Sequence, residues 1–334
     1  MKKILAALLC FTLIFGAFSS LTASADSGKT VIKLSLMENE EHPQGLMAAA
    51  FERELEELSN GQIDVQVFYN GSLYSLEAAM PALRAGDLEA TFTSMQVTAE
   101  YLPSINMLTS TFIFKDYDHM RKVMDGDVGG ALFEQMNNDS VGYVPIGFFY
   151  NGSRQLNLRT DKPVTKPEDL KSIILRMPNS DAWIAAGESL GAKATPLAYS
   201  EVYTALQNGT IDAQDNPLPA VKSMKFYEVT RQISLTYHII DAEIFALSAK
   251  MWNSLNAEQQ AWVKEAANRA IQVCDEAVIK QEAELLNFFE SEGLSIVHPD
   301  YEAFKEYAYN YYVEKGLTAE WDMDLYTQIQ AMAS

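Results

Sequence analysis

The chain alternates between two hydrophobic periods from its first ordered segment onward, and that alternation restricts the folds open to it. Val31-Ile32-Lys33-Leu34-Ser35-Leu36 reads as a strand, and Gly45 to Leu58 sets Leu46, Ala50, Phe51, Leu55 and Leu58 on one helical stripe, which Gly61 ends. Ile63-Asp64-Val65-Gln66-Val67 alternates at period two, Tyr69-Asn70-Gly71-Ser72 is a turn, and Leu76 to Ala85 is a second helix. Strand, helix, strand, helix is the grammar of an α/β sheet with parallel crossovers. It recurs later: Val144 to Phe149 and Ile173 to Met177 read as strands. Asn179 to Leu190 and Ser200 to Asn208 read as helices, capped by Asn179 and Ser200 and stopped by Gly191 and Gly209.

One local echo ties the halves together. Ala82-Leu83-Arg84-Ala85-Gly86-Asp87-Leu88-Glu89-Ala90 parallels Ala205-Leu206-Gln207-Asn208-Gly209-Thr210-Ile211-Asp212-Ala213: a helix end, a left-handed Gly, a strand start. Two similarly built α/β lobes would enclose a cleft at the carboxyl ends of their strands, where open sheets bind ligands. From Ala257 to Glu292 the pattern stays helical without Pro or Gly, and Gly293 closes it. At 1.5 Å per residue that is on the order of 50 Å, so it is either a brace across both lobes or two helices with an unmarked kink.

Composition agrees with this size of object. The 334 residues, 48% hydrophobic and 11% aromatic, suit roughly two domains with real cores and argue against a disordered acidic chain. A net charge of −20 excludes nucleic acid as a partner, because affinity for phosphate backbones comes mainly from clustered Lys and Arg. The first 25 residues read as a secretory signal: Lys2 and Lys3, an uncharged apolar run from Ile4 to Phe18, then Thr22-Ala23-Ser24-Ala25, with cleavage expected after Ala25. The apolar run is too short for a membrane anchor, and bulky Leu9 before Cys10 argues against lipidation. An extracytoplasmic, in the simplest case periplasmic, location follows. Two lysines leave with the signal and no acid does, so −20 becomes −22. Cys10 leaves too, so Cys274 has no intrachain disulfide partner and reads as a small buried apolar group.

Motifs for chemistry are sparse. His42, His119, His238 and His298 stand far apart with no neighbour at metal-ligand spacing, so neither a metal nor a cofactor is expected; His119 reads as a surface residue. There is no glycine-rich phosphate loop, nucleophile elbow or CxxC. Asn-Gly pairs at Asn70, Asn151 and Asn208 read first as turns. Arg176, within Ile173-Ile174-Leu175-Arg176-Met177, is different. It shares a strand face with Ile174, which implies a covered guanidinium. A covered arginine needs an anion, supplied either internally, by Glu201 or Asp212, or by a ligand carboxylate gripped through two parallel hydrogen bonds.

Three stretches then carry a resemblance. Tyr150-Asn151-Gly152-Ser153-Arg154-Gln155, Leu175-Arg176-Met177-Pro178, and Ser200-Glu201-Val202-Tyr203-Thr204-Ala205-Leu206-Gln207 running on to Asp215-Asn216-Pro217-Leu218 resemble the solute-binding proteins of tripartite ATP-independent periplasmic (TRAP) transporters. Lys225-Phe226-Tyr227-Glu228-Val229 and Thr236-Tyr237-His238 continue the match, which covers nearly all of the chain after the signal. Ser172 and Ile174 stand where that family usually has Gly and Lys, and Ala213 and Asp215 where it usually has Gly and Glu.

The resemblance implies an α/β, two-lobed periplasmic-binding-protein-like (Venus flytrap) fold with the long helix bracing both lobes. Residues 26–150 and 241–281 would form the first lobe, and 151–240 and 282–334 the second. It implies a monomer that closes on an organic acid and delivers it to the small and large membrane subunits of a sodium-driven permease. By the same resemblance Arg176 forms the principal salt bridge to the ligand carboxylate, Arg154 and Asn216 also hold it, and Tyr199 packs on the ligand body. Glu38 and Ser94 would face the ligand from the first lobe. At an effective dielectric near 20, a charge pair 4 Å apart is worth about 4 kcal/mol before desolvation. A carboxylate at Glu38 tolerates hydroxyl donors better than a second acid group, which favours a hydroxylated acid such as a sugar acid over a plain dicarboxylate. A sensor-type binding module, or an enzyme on the same scaffold, are the competing readings; the second lacks a positioned nucleophile.

Overall fold

The computed structural model describes residues 29–138 and 141–333. The expectations about Lys2, Lys3, the Ile4 to Phe18 run, Cys10 and cleavage after Ala25 lie outside the described residues. Among those described, nine strands form one sheet: β1 Thr30–Ser35, β2 Ile63–Phe68, β3 Ala90–Ser94, β4 Tyr143–Leu158, β5 Ile174–Met177, β6 Lys193–Pro196, β7 Ala213–Pro217, β8 Gln232–Ser248 and β9 Ser295–Val297. Their order is β2-β1-β3-β8-β4-β7-β5-β6, with β9 added on β8.

That order contains the same unit twice. β1 pairs in parallel with β2 and β3, and β5 pairs in parallel with β6 and β7. The helices Leu76–Ala85 and Val202–Asn208 both end on a left-handed glycine, Gly86 at φ 75° and Gly209 at φ 81°, and both feed the third strand of their unit. Those strands begin at Ala90 and Ala213, so the sequence echo marks equivalent corners of two lobes. β3 then runs antiparallel to β8, and β7 antiparallel to β4. The two long strands pair antiparallel with each other and cross from lobe to lobe.

The length of β4 is a difference from the sequence reading, which ended the strand at Phe149. The remainder, Tyr150 to Leu158, carries Asn151, Ser153, Arg154, Gln155 and Asn157, all buried, and polar residues on a strand erase the hydrophobic alternation. Asn151-Gly152 is therefore not a hairpin turn. It lies within β4, where the pairing register to β8 shifts between Tyr150 and Gly152 and again between Arg154 and Leu156. Such bulges bend a strand and re-aim its side chains. Asn70-Gly71, by contrast, is a turn, with both residues at positive φ.

The core divides into one large cluster and two smaller ones. The first is built around Phe51, Phe92, Phe149 and Phe245, with the Phe51 and Phe92 rings packed edge-on to Phe245 at 4.7 and 4.9 Å between centroids. Leu156, Leu175, Met177 and Trp183 anchor the second; Val202, Leu206, Val221, Phe226 and Phe289 anchor the third. The helix Ala257–Ser291 runs unbroken for 35 residues from an Asn256–Gln259 capping box. It sends Val263, Ala266, Ala270 and Cys274 into the first cluster and Leu285 and Phe289 into the third, so it is a brace without a break. Among the described residues, no helix is long and apolar enough to cross a membrane.

Three local readings are corrected by tertiary packing. Ser180, not Asn179, caps the helix Asp181–Ser189, and Tyr199–Glu201 forms a short 3-10 turn ahead of Val202, so Ser200 is not a cap. His119 is buried, because the last helix, Met323–Ala331, lies over it: its Nε2 is 2.8 Å from the Ile329 carbonyl oxygen, and its Nδ1 accepts from the Lys115 N–H. The same helix places Ile329 in the first cluster, whereas Phe304 and Ala308 of Tyr301–Glu314 enter the second.

Gly152 is a position where this architecture tolerates little change. Its φ is 122°, and an added Cβ would stand 2.6 Å from Pro217 Cβ on the neighbouring strand. Gly152→Ala is expected to destabilise the protein by about 3 kcal/mol, from strain plus overpacking, as read by urea denaturation.

Candidate functional site

A cleft opens between the repeated units, at the carboxyl ends of β1, β3, β5 and β7. It is lined from the first lobe by Glu38, Gln44, Thr93 and Ser94, and from the second by Arg176, Trp183, Tyr199 and Asn216, with Asn151, Arg154 and Glu243 supplied by the long strands. All six residues singled out from the sequence, Arg176, Arg154, Asn216, Tyr199, Glu38 and Ser94, therefore meet on one cavity. Within each unit the parallel crossovers point the carboxyl ends one way, and the three antiparallel steps through β8 and β4 set the two units' ends against each other across the cleft.

The two arginines differ sharply in how they are satisfied. Arg176 is 1% exposed on β5. Its Nε donates to the Leu197 carbonyl at 2.8 Å, but the buried Nη2 has no partner among the described residues. Neither internal candidate reaches it: Asp212 accepts from the Ile174 N–H, and Glu201 is exposed. Burial lowers its pKa to about 10, against the opposing pull of Asp215. The ring of Tyr199 lies 5.5 Å from the guanidinium carbon.

Arg154 is the opposite case. Its Nε donates to Asp215 Oδ2 at 2.7 Å, Nη1 to Asp241 Oδ2 at 2.9 Å, and Nη2 to the Asp215 carbonyl, Asp215 Oδ1 and Asn216 Oδ1. With five N–H groups in all, that leaves one Nη1 hydrogen for anything entering the cleft. The Trp183 ring covers one face of the guanidinium at 4.4 Å. His238 Nε2 lies 3.1 Å from Asp215 Oδ2 and backs the pair. Burial pushes the Asp215 carboxyl up, yet Arg154 and His238 more than reverse this and hold it well below the carboxylate range. Asn216 is likewise engaged, accepting from Arg154 and donating to Gln214 Oε1. Sequence reasoning missed Asp241, His238 and Trp183 in this network; they lie 87, 84 and 29 positions from Arg154, and the pairing of β4 with β8 brings the first two to it while the helix Asp181–Ser189 brings Trp183.

On the first-lobe wall, Ser94 Oγ accepts from the Val97 N–H and so caps the helix Met95–Ala99. Ser35 Oγ and Thr93 Oγ1 line the cleft, buried and without a hydrogen-bond partner among the described residues. Glu38 accepts from Tyr199 and Ser223. Glu243 accepts from Gln44 Nε2 at 3.0 Å and Asn151 Nδ2 at 3.2 Å; burial, then the Asp241 charge, push its carboxyl well above the usual range. Polar hydroxyls and acids thus face a cation across the cleft. Among the described residues, no group of three or more His, Cys, Asp or Glu is placed to hold a metal ion.

A model of the bacterial extracellular solute-binding protein family 7 matches residues 34–316. The chain belongs to that family. The sialic acid-binding periplasmic protein SiaP of Vibrio cholerae is 30% identical over 291 residues, 87% of this chain and 90% of its own. A TRAP periplasmic solute-binding protein of Roseobacter denitrificans, solved with bound 3-deoxy-D-manno-oct-2-ulosonic acid, superposes with a TM-score of 0.85 at 34% identity, over 91% of this chain and 99% of that one. A second, from Polaromonas sp. JS666 and bound to D-erythronate, gives 0.86 at 26% identity over 92% and 100%. The family is one of transport receptors, and its fold is the two-lobed α/β arrangement described above.

The Arg154 network makes a prediction with a defined sign. Asp215→Asn leaves a buried guanidinium short of its counter-charge, which costs about 3–5 kcal/mol at neutral pH. Because the folded-state pKa of Asp215 is depressed, its contribution is full above about pH 4 and fades as pH falls toward the folded value. Urea denaturation of both proteins should therefore show a gap that is constant near neutrality and narrows below about pH 4.

Proposed function

We propose that the protein captures a hydroxylated monocarboxylic acid, of the sugar-acid class, in the interlobe cleft and delivers it to the membrane subunits of a TRAP permease. The observation that carries this reading is Arg176: a guanidinium buried to 1%, lining the cleft, with Nη2 unpartnered. Leaving that group without an anion costs several kcal/mol, and a ligand carboxylate would recover it through charge-assisted hydrogen bonds. Arg154 shapes the same end of the cleft through its remaining Nη1–H and its positive field, rather than as a second free clamp. Tyr199 and Trp183 supply flat apolar surface for the ligand body.

The opposite wall argues for hydroxyls on that body. Ser35 Oγ and Thr93 Oγ1 lack partners, and a ligand hydroxyl both donates and accepts. Glu38 makes the first-lobe wall a poor place for a second carboxylate. Relatives with bound D-erythronate, L-galactonate and D-glucuronate support the class. The lobe boundaries, export by a signal cleaved after Ala25, and action as a monomer belong to the same proposal.

Thermal-shift measurements should give stabilisation with D-glucuronate, L-galactonate or D-erythronate exceeding that with succinate, and none with neutral hexoses, because a bound ligand raises apparent stability by mass action. Arg176→Ala is expected to weaken binding of the stabilising acid at least a hundredfold in calorimetry while its circular dichroism stays native. Unchanged affinity in that variant overturns the role given to Arg176.

A further inference from the structure

Glu38 contacts the second lobe directly. It follows β1, and its backbone carbonyl accepts from the Asn70 N–H, which ties it to the first lobe. Its side chain reaches across the cleft and divides between two hydroxyls of the other lobe: the Tyr199 OH donates to Oε1 at 3.0 Å, and Ser223 Oγ donates to Oε2 at 2.7 Å. Tyr199 precedes the helix Val202–Asn208, and Ser223 ends the helix Leu218–Ser223, so two separate elements are held by one carboxylate. The residue is only 6% exposed.

The surroundings mark this as a closed contact between lobes. Met37 and Leu76 of the first lobe pack against the third core cluster, beside Tyr199 and Val221. A carboxylate removed from water by such contact needs its lone pairs satisfied, and hydrogen bonds to a charged acceptor are stronger than neutral ones. Both oxygens of Glu38 are satisfied by the protein itself. Each oxygen thus carries one hydrogen bond from the other lobe, so the carboxylate is a contact between lobes as well as part of the cleft wall. The Tyr199 ring held this way is the one that stands beside Arg176.

We propose that Glu38 is an interlobe latch, a positioning residue that grips Tyr199 and Ser223 to favour the closed arrangement in the absence of ligand and to fix the Tyr199 ring beside Arg176. This rests on the two-lobed receptor reading above, but it concerns the ligand-free protein. A receptor that closes part of the time without ligand presents a preorganised cleft, and the latch sets how often it does so.

Ser223 gives a clean test, because it lies outside the cavity lining. Spin labels at Glu57→Cys and Gln207→Cys, exposed sites on the two lobes, report interlobe distance; the native Cys274 is fully buried and escapes labelling. In ligand-free protein, the labelled parent should show a short-distance population. Ser223→Ala and Glu38→Gln should each shift the closed-to-open ratio toward open, by on the order of tenfold for the loss of one hydrogen bond to a charged group. Ser223→Thr, which keeps the hydroxyl, should restore the parent ratio. The pair Ser223→Ala with Glu38→Gln should open the protein less than the two single effects combined. Distance distributions identical in parent, Ser223→Ala and Glu38→Gln overturn the latch, as does a wholly open ligand-free parent. Failure of the receptor reading would appear elsewhere, as absent thermal shifts with the sugar acids named above.

Discussion

The burial of two guanidinium groups at one end of a cleft is the constraint on which this structure turns. Each would be costly alone, and the fold treats them differently. Arg154 receives two aspartates, an asparagine oxygen and the face of a tryptophan, so its charge is neutralised within the protein. Arg176 receives a single carbonyl, from Leu197, and its Nη2 has no partner among the described residues. The first group makes a positively biased wall; the second leaves a buried Nη2 without a partner among the described residues, the observation behind the proposed capture of an anion. A net charge of −20 on the whole chain is no obstacle, because solvent screens the acidic shell while the cleft holds its arginines in a low-dielectric setting.

The remaining architecture serves to keep that end of the cleft fixed while the two lobes stay separable. β4 and β8 pass through both lobes as a paired ribbon, and the register shifts around Gly152 and Leu156 fall beside Arg154. The bend that aims Arg154 at Asp215 and Asp241 thus lies on the connection between lobes. The 35-residue helix spans the same junction on the outside, with small residues, Ala266, Ala270 and Cys274, packed into the first cluster and large ones, Leu285 and Phe289, into the third. A helix without a break couples the lobes mechanically, so any closing motion falls on the strands and on contacts across the cleft.

Much of this was legible in the sequence. Period-two and period-3.6 segments gave the strand and helix order, and the repeated left-handed glycines at Gly86 and Gly209 marked two equivalent units. The covered position of Arg176 followed from its sharing a strand face with Ile174. Other features were hidden for physical reasons. The polar half of β4 has no hydrophobic alternation, because it buries Asn, Ser, Arg and Gln side chains, and partners such as Asp241 for Asn151 and Arg154 lie far along the chain. His119 reads as exposed in its own helix and becomes buried only when the final helix covers it. Local cap signals at Asn179 and Ser200 lost to neighbouring geometry that the sequence does not mark.

The sequence by itself determined the class of object: an acidic, two-lobed α/β receptor with a covered arginine, Arg176, on a strand. Local backbone preference and hydrophobic period act over a few residues, and a linear pattern is enough to state them. Only the tertiary structure decided which charges are spent and which are free. Asp215, Asp241 and His238 converge on Arg154 because three strands cross there; Tyr199 and Ser223 converge on Glu38 because two lobes meet there. Hydrogen bonds and ion pairs act over a few ångströms, so the partners of a buried charge are set by the folded path of the chain and not by distance along it.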